Sequence, residues 1–302
     1  MSFPLLFLLL LFVEPILLSE ESEPPKLERM EKAVPASPPL KFSESKALRE
    51  IAETSGLSER AKIAVCDLER NCWHLRGDEL PESPASLAKI PIAVALMHKV
   101  VVENISLETP IYVEAGNFTE DGSEMEVEIT YPLWKILAEM LVHSSNIAPN
   151  QLIDYLGWDY INEVLEESGY GVTRIRGKFT GDSIVPENPG TDVNALSSDE
   201  LTGMMVKIYN REHPGDNVLI SLLKYQRDRE LGFAALENSK AKWLGEKTGQ
   251  NSLVIGTTLA MEVRGKTYIL SAIDDGFYSD VALRTAIAQI ADRLYRARGL
   301  GN

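Results

Sequence analysis

Cysteine and histidine are scarce in this chain of 302 residues. It has two cysteines and four histidines, and the histidines never fall at the spacing of metal ligands (His74, His98, His143, His213). Protein zinc sites are built mainly from these two residue types at short, recognisable intervals. The sequence therefore predicts neither a metal site nor a resident cofactor.

Positive charge is also in short supply. Lysine and arginine number 30 against 45 aspartates and glutamates, which gives a net charge of −15. The acidic residues are spread along the chain instead of forming blocks. This balance argues against nucleic acid as a partner and favours a soluble, self-repelling surface.

Long apolar runs are confined to the N-terminus. Residues Phe3 to Leu18 are apolar except for a Glu-Pro interruption, with no basic residue before them and no clear small-x-small cleavage site. The run is too short and interrupted for a spanning helix, so we interpret 1–19 as a signal peptide or N-terminal membrane anchor. We expect an exported protein, whether periplasmic, secreted or anchored.

Residues 20–42 are rich in proline, serine and glutamate and have too little apolar surface to fold, which indicates a linker. The remaining residues, 43–302, belong to a chain with 44% hydrophobic content, which is ample for one large domain or two lobes. A first helix is predicted from Ser43 to near Gly56. A last amphipathic helix is predicted over Asp280 to Ala297.

A strand over Ala61 to Val65 and its return over Trp73 to Leu75 predict a hairpin. Cys66 and Cys72 can face each other across it, close enough for a disulfide in an oxidising compartment. The alternative is two unrelated, half-buried thiols. Sequence alone leaves both open.

The middle of the chain has helical periodicity and the last third has strand periodicity. The longest segment without either pattern runs from Gly171 to Ala195, and ordered loops of that length tend to be lids or site walls. Short extended pieces are predicted at Ile111 to Val113 and Met125 to Ile129. Strands are predicted over Leu253 to Val263 and Lys266 to Ile273.

Ser86 precedes Lys89 by three residues at the predicted start of an apolar helix. This spacing places the hydroxyl and the amine on one face of the helix. A hydroxyl nucleophile needs a neighbouring base, and a desolvated lysine can supply one. The alternative is a helix-capping serine with a solvated lysine.

Two further motifs follow in order. Ser144 and Asn146 flank one residue between two well-patterned helices, where side chains can point into a cleft or simply cap helices. Lys247-Thr248-Gly249 comes just before the strands of the last third.

Ser86-x-x-Lys89, Ser144-x-Asn146 and Lys247-Thr248-Gly249, in this order, resemble the motif set of the serine β-lactamases and penicillin-binding proteins, and the class A β-lactamases in particular. The resemblance covers about Ser43 to the C-terminus. It implies an α/β (α+β) two-lobe fold. In that fold an antiparallel sheet is flanked by the terminal helices, a mainly helical lobe is inserted, and the site lies between the lobes.

The resemblance also implies roles. Ser86 is the nucleophile that becomes acylated, Lys89 its base, and Ser144 a proton relay towards the leaving nitrogen. Asn146 would bind the amide of the substrate's side chain. Lys247, at a strand start, and Thr248 would bind the substrate's carboxylate, Gly249 would let the ligand lie close to the strand, and the N–H groups of Ser86 and Gln250 would form the oxyanion hole.

The sequence departs from the class A pattern in three places. Ser145 replaces the aspartate of the second motif. No Glu-x-x-x-Asn pattern lies within Gly177 to Asn194, so the base that would release the acyl group is not evident; Glu187 is the nearest candidate and Asp182 a weaker one. No arginine between Asn251 and Met261 supports Lys247.

Three functions therefore remain open. The first is a class A β-lactamase-like serine hydrolase, the second a penicillin-binding D,D-peptidase with slow deacylation, and the third a cell-wall-binding protein without turnover. The expected partner is a small β-lactam or a D-Ala-D-Ala-type peptide. The expected state is a monomer that can associate with a membrane through its N-terminus.

Overall fold

The structure is a computed structural model that describes residues 40–297 and 299–301. The predicted signal or anchor segment (1–19) and nearly all of the predicted linker (20–42) lie outside these residues, so both stay predictions.

Along the described chain, strands lie mainly in the first and last thirds, and six helices follow one another over residues 133–236. The bounds of the strands and helices are β1 (Phe42–Glu44), α1 (Lys46–Ser55), β2 (Lys62–Asp67), β3 (Cys72–Leu75), α2 (Lys89–Val102), β4 (Pro110–Tyr112), β5 (Thr130–Pro132), α3 (Leu133–Val142), α4 (Ile147–Leu156), α5 (Trp158–Glu167), α6 (Ser198–Asn210), α7 (Asp216–Lys224), α8 (Gly232–Leu236), β6 (Lys242–Gln250), β7 (Ile255–Val263), β8 (Lys266–Asp274) and α9 (Asp280–Ala297).

The central sheet has the strand order β1-β3-β2-β8-β7-β6. All its neighbours pair antiparallel except β1, which pairs parallel with β3 through Phe42↔Cys72. The predicted antiparallel sheet is thus confirmed, with one parallel edge strand added. That strand has three residues, too few for an alternating pattern to be visible in the sequence.

The terminal helices pack together on one face of the sheet, as the resemblance implied. Leu48 of α1 and Leu283 and Ile287 of α9 are fully buried in the core on this side. Burying such a side chain stabilises the fold by about 1.5–3 kcal/mol. The α/β two-lobe fold is therefore confirmed, and α6 covers the opposite face of the sheet.

A helical lobe is inserted between β3 and β6, and α2 is its central helix. By length and composition the segment 85–102 could cross a membrane, but 67% of it is buried inside the protein. It is a core helix. A second small sheet in this lobe pairs β4 with β5; the predicted strand at 125–129 is displaced to Thr130–Pro132, although Val113 still bonds Glu128 and Ile129 through the backbone.

Cys66 and Cys72 form a disulfide across the β2–β3 hairpin, with their Cα atoms 4.1 Å apart. Of the two alternatives that the sequence left open, the structure has the bridge.

Candidate active site

Ser86 lies in a short 3₁₀ turn, Ala85–Ala88, that leads directly into α2. The turn starts at Ala85 with a left-handed φ of 45°, a conformation that costs a residue with a side chain about 1–3 kcal/mol and is typical of functional sites. Ser86 is half-buried, while Lys89 is the first residue of α2. The predicted pair therefore spans two helix types instead of one helix start.

The Lys89 ammonium group is surrounded by acceptors from both predicted motifs. Its Nζ lies 2.9 Å from Ser86 Oγ, 2.6 Å from the Ser144 carbonyl oxygen and 2.9 Å from Asn146 Oδ1. Ser144 Oγ is farther away, at 3.3 Å. The structure thus brings together the first and second motifs that the sequence separates by more than fifty residues.

Burial lowers the pKa of Lys89 well below its usual value, and the nearby charge of Lys247 lowers it further. Asp121 opposes this effect. Lys89 is completely buried, and taking an ammonium out of water disfavours its charged form. A neutral Lys89 can accept the hydroxyl proton of Ser86 across the 2.9 Å contact.

Ser144 connects the two lysines. Its backbone has a left-handed φ of 60°, and its Oγ accepts a hydrogen bond from Lys247 Nζ at 2.9 Å. The same hydroxyl lies beside Lys89 on its other side. A group placed between a base and a cation can pass a proton in either direction.

Lys247 is completely buried near the end of β6, five residues after the strand begins at Lys242. The expectation that it stands at a strand start is wrong, because the preceding segment Lys242–Glu246 already pairs with β7. Burial lowers the pKa of Lys247 to about 7, with Asp228 and Glu246 partly offsetting it.

Gly249 and the Ser86 turn are in very close contact. A Cβ at Gly249 would lie 2.9 Å from Leu87 N and 2.8 Å from Leu87 Cγ, so only glycine fits beside the nucleophile's turn. From the sequence, we expect Gly249 to let a ligand lie close to the strand. The structure adds a second reason for glycine here, which is the close packing against Leu87. Thr248 Oγ1 lies 3.0 Å from the Gln226 side-chain amide, and Gln250 Oε1 accepts from Tyr278 Oη at 2.9 Å.

Two hollows meet at Ser86, and both are also lined by Asn146 and Gln250. One extends over the third motif, where Thr248 and Gly249 line it together with His143, Ser144, Asp228 and Glu230. The other extends under the long loop. Six of the predicted site residues therefore line this cleft between the lobes, and the buried Lys89 and Lys247 contact Ser144 beside it.

An aromatic ring of the long loop, that of Phe179, lies beside Lys89. Phe179 lines the second hollow, and its ring centroid is 5.0 Å from Lys89 Nζ. Asp192 lines the same hollow, but its Oδ1 accepts from Val193 N at 2.7 Å and its Oδ2 is 3.6 Å from Arg176 Nη1. Both acceptor atoms of this carboxylate thus have partners within the loop.

Glu187 is not brought to this cleft. It is exposed and lines neither hollow, and its Oε2 would be 2.7 Å from a Cβ on Gly116. Its N–H donates to the Gly116 carbonyl at 2.6 Å, and its carbonyl accepts from Lys178 Nζ at 2.9 Å. Through these contacts, Glu187 helps to hold the long loop in place. Asp182 is also exposed.

Sequence reasoning missed Asp121, which reaches the second motif from the loop before β5. Its Oδ2 accepts from Ser145 Oγ, from Asn146 N at 2.9 Å and from Ile147 N at 3.1 Å. The sequence contains one signal for it: Ser145 stands where the class A pattern has an aspartate, so the second motif has no carboxylate of its own. Nothing in the spacing pointed to a residue 24 positions earlier.

Among residues 40–297 and 299–301, no group of three or more histidine, cysteine, aspartate or glutamate side chains is placed to hold a metal ion.

The sequence model of the Beta-lactamase enzyme family matches residues 44–297. The chain belongs to this family. The match includes all three motifs and the whole of the cleft described above. A comparison with curated proteins finds no match.

Solved structures have the same fold at low sequence identity. A β-lactamase from Sphaerobacter thermophilus DSM 20745 is 20% identical with a TM-score of 0.69, covering 85% of this chain and 97% of its own. A mutant of PBP-A, solved as the acyl-enzyme complex with penicillin G, is 21% identical with a TM-score of 0.72, covering 86% and 100%. The extended-spectrum β-lactamase TLA-3 is 16% identical with a TM-score of 0.71, covering 83% and 99%.

Proposed function

We propose that Ser86 opens β-lactam amides to form an acyl-enzyme, and that this member of the β-lactamase family releases the acyl group slowly. The observation that carries the proposal is the 2.9 Å contact between Ser86 Oγ and the buried Lys89 Nζ, with an aromatic ring, not a carboxylate, over the same lysine. The acyl-enzyme of PBP-A with penicillin G is a related chemistry on the same fold.

Acylation begins when neutral Lys89 accepts the hydroxyl proton and Ser86 Oγ attacks the β-lactam carbonyl carbon. The carbonyl oxygen becomes an oxyanion, which the N–H groups of Ser86 and Gln250 would stabilise. The C–N bond then breaks, and the nitrogen takes a proton delivered through Ser144. Lys89 Nζ and Lys247 Nζ both contact Ser144, so the relay needs no large movement.

Substrate binding follows from the remaining residues. Lys247, while protonated, and the Thr248 hydroxyl would bind a substrate carboxylate. Asn146 would bind the amide of the acyl side chain. The hollow beyond Thr248 is lined by the acidic residues Asp228 and Glu230, which disfavour a second negative charge on the substrate.

Slow release follows from what a hydrolytic water would meet. Deacylation requires a base within hydrogen-bond reach of a water beside the acyl carbonyl. On the loop side of Ser86 that place is next to Phe179, whose ring cannot accept the water's proton. A rapidly hydrolysing β-lactamase is the second candidate, since the Asp192 carboxylate lines the same hollow.

Export remains part of the proposal. A disulfide forms and persists in oxidising compartments, so the Cys66–Cys72 bridge agrees with the apolar N-terminal segment. The protein would then meet β-lactams or D-Ala-D-Ala-type peptides outside the cytosol, as a monomer.

The test is a time course of intact mass with penicillin G. We expect the mass of one penicillin to be added to the wild-type protein and to persist for minutes, with slow turnover of a chromogenic cephalosporin. Ser86→Ala is expected to give no adduct. Ser221→Ala, on the exposed side of α7, is the matched control and should behave as wild type.

Each result separates the candidates. Rapid turnover without an accumulating adduct would favour the second candidate. The absence of any adduct on the wild type would overturn both and leave a cell-wall-binding protein without turnover.

A further inference from the structure

Asp121 binds the second motif from outside it. It lies in the loop between β4 and β5, and a single oxygen, Oδ2, accepts from Ser145 Oγ, Asn146 N and Ile147 N. Its other oxygen accepts from Ser123 N at 2.9 Å. The carboxylate is therefore held by its own loop on one side and holds the first turn of α4 on the other.

This carboxylate is ionised under ordinary conditions. Burial alone would raise the pKa of Asp121, but the hydrogen bonds from Ser145, Ile147, Ser123 and Asn146 together outweigh burial and lower its pKa. Hydrogen bonds to a charged acceptor are about twice as strong as those between neutral groups. The contacts around Asp121 are thus the strongest kind available to the loop.

Ser145 connects Asp121 to helix α4. Its side chain is fully buried, donates to Asp121, and accepts from Ala148 N at 3.1 Å. The residues on either side of it, Ser144 and Asn146, both contact Lys89 Nζ. Any shift of Ser145 would therefore move these two contacts of Lys89 together.

We propose that Asp121 is a positioning residue for acyl transfer at Ser86, and that it performs, from a separate loop, the restraint that an aspartate at position 145 would provide within the motif. This role rests on the proposed function. Asp121 does not contact Ser86, so it acts through Ser145, Asn146 and the charge that it presents to Lys89.

The charge of Asp121 predicts a measurable effect on the pKa of Lys89 that packing alone would not produce. The pKa of Lys89 is lowered by burial and by Lys247 and raised by Asp121; Lys247 in turn is influenced by Asp228 and Glu246. Removing only the charge at 121 should therefore lower the pKa of Lys89. Because the neutral amine is the base, the acid limb of the acylation rate should move to lower pH.

The experiment measures penicillin G acylation by intact mass across pH for Asp121→Asn, with Glu124→Gln as the control. Glu124 is exposed in the same loop, so its variant loses the same charge away from the motif. We expect Asp121→Asn to acylate about 10- to 100-fold more slowly at its optimum, with the acid limb at lower pH. Amide exchange at Asn146 and Ile147 should accelerate, and Glu124→Gln should match wild type in all three measurements.

A double variant, Asp121→Ser with Ser145→Asp, exchanges the two ends of the same hydrogen bond. It should recover most of the lost rate and return the acid limb towards the wild-type position, which also covers the case in which Asp121→Asn folds poorly. A wild-type adduct together with an Asp121→Asn rate and limb equal to those of Glu124→Gln would overturn the role of Asp121 alone. Slower acylation with an unmoved acid limb and no recovery in the double variant would reduce Asp121 to a structural residue and overturn the proposal. No adduct on the wild type would instead overturn the proposed function itself.

Discussion

The two sides of the cleft differ in how their polar groups are held. On the motif side, Lys89 and Lys247 are both completely buried, and each Nζ has protein acceptors within 3.0 Å. On the loop side, the cation with comparable burial is Lys178, but its Nζ binds Asn117, Asp154 and the Glu187 carbonyl. On one side the lysines contact Ser86 and Ser144, and on the other Lys178 helps to hold the loop.

This difference indicates which half of the proposed reaction, acylation or release of the acyl group, has its groups already in position. Groups that are desolvated and fixed before the substrate arrives need no reorganisation during the reaction. The proposed acylation has such groups, because Ser86, Lys89, Ser144 and Lys247 are already in contact, each with the next. On the loop side the Phe179 ring lies with its centroid 5.0 Å from Lys89 Nζ, and an aromatic ring offers no proton acceptor.

Introducing a base on the loop side should have the largest effect on the difference between the two sides of the cleft. Phe179→Glu places a carboxylate near Lys89 Nζ, in the hollow that Ser86 also lines. We expect the acyl-enzyme to hydrolyse about 100-fold faster, since a positioned general base contributes about 10²–10⁴-fold. The measurement is the decay of the penicillin G adduct by mass after removal of free penicillin.

Phe179→Gln is the matched control, because it has a similar polar side chain without a basic carboxylate. It should open the same space and leave the decay rate within a few-fold of wild type. Equal acceleration by glutamine and glutamate would mean that the ring only excludes water. No acceleration by either would place the limiting step elsewhere.

The motif side can be tested through the charge of Lys247. Its pKa is lowered to about 7 by burial, against the opposing effects of Asp228 and Glu246, so the ammonium loses its proton as the pH rises through that value. Binding of a substrate carboxylate should weaken above it, and the second-order acylation constant should fall by up to about tenfold per pH unit. The measurement is acylation by penicillin G between pH 6 and about 9.

Lys247→Arg provides the comparison, because a guanidinium stays charged throughout this range. Its acylation is expected to be weaker overall, with the limb near pH 7 absent. If the arginine variant keeps that limb, a group other than Lys247 causes it.

The sequence predicted the motif side well for a physical reason. Ser86 and Lys89 are neighbours on one helical turn, so their contact follows from local geometry. Ser144 and Lys247 lie in distant segments, and the expectation that they share one site came only from the family resemblance; their direct contact is a finding of the structure. The fold class likewise came from the resemblance, whereas the two neighbouring strands β7 and β8 followed from residue periodicity.

The loop side was predicted poorly because it has no period. In the segment 171–195 the side-chain directions depend on contacts such as that of Asn150 with the Phe179 backbone, at 2.7 and 2.8 Å. Neither this pair nor the reach of Asp121 to Ser145 has a sequence signature. The position of a carboxylate in such a loop is decided by tertiary contacts, and this is why Glu187 was a weak expectation.

Glu187 should give the smallest effect. Its side chain lies against Gly116 and lines neither hollow beside Ser86, so Glu187→Gln is expected to change acylation and deacylation by less than about twofold, as is usual for an exposed substitution. The measurement is the same adduct time course as for the Phe179 variants.

A large slowing of deacylation by Glu187→Gln, with acylation unchanged, would contradict this expectation and would make Glu187 the base after all. That result would require the loop to move, since the backbone of Glu187 is bonded at both its N–H and its carbonyl oxygen. Glu187→Asp would then decide between a base and a loop anchor. A shortened base loses its reach to the water and slows deacylation, whereas a loop held by backbone hydrogen bonds keeps its rate.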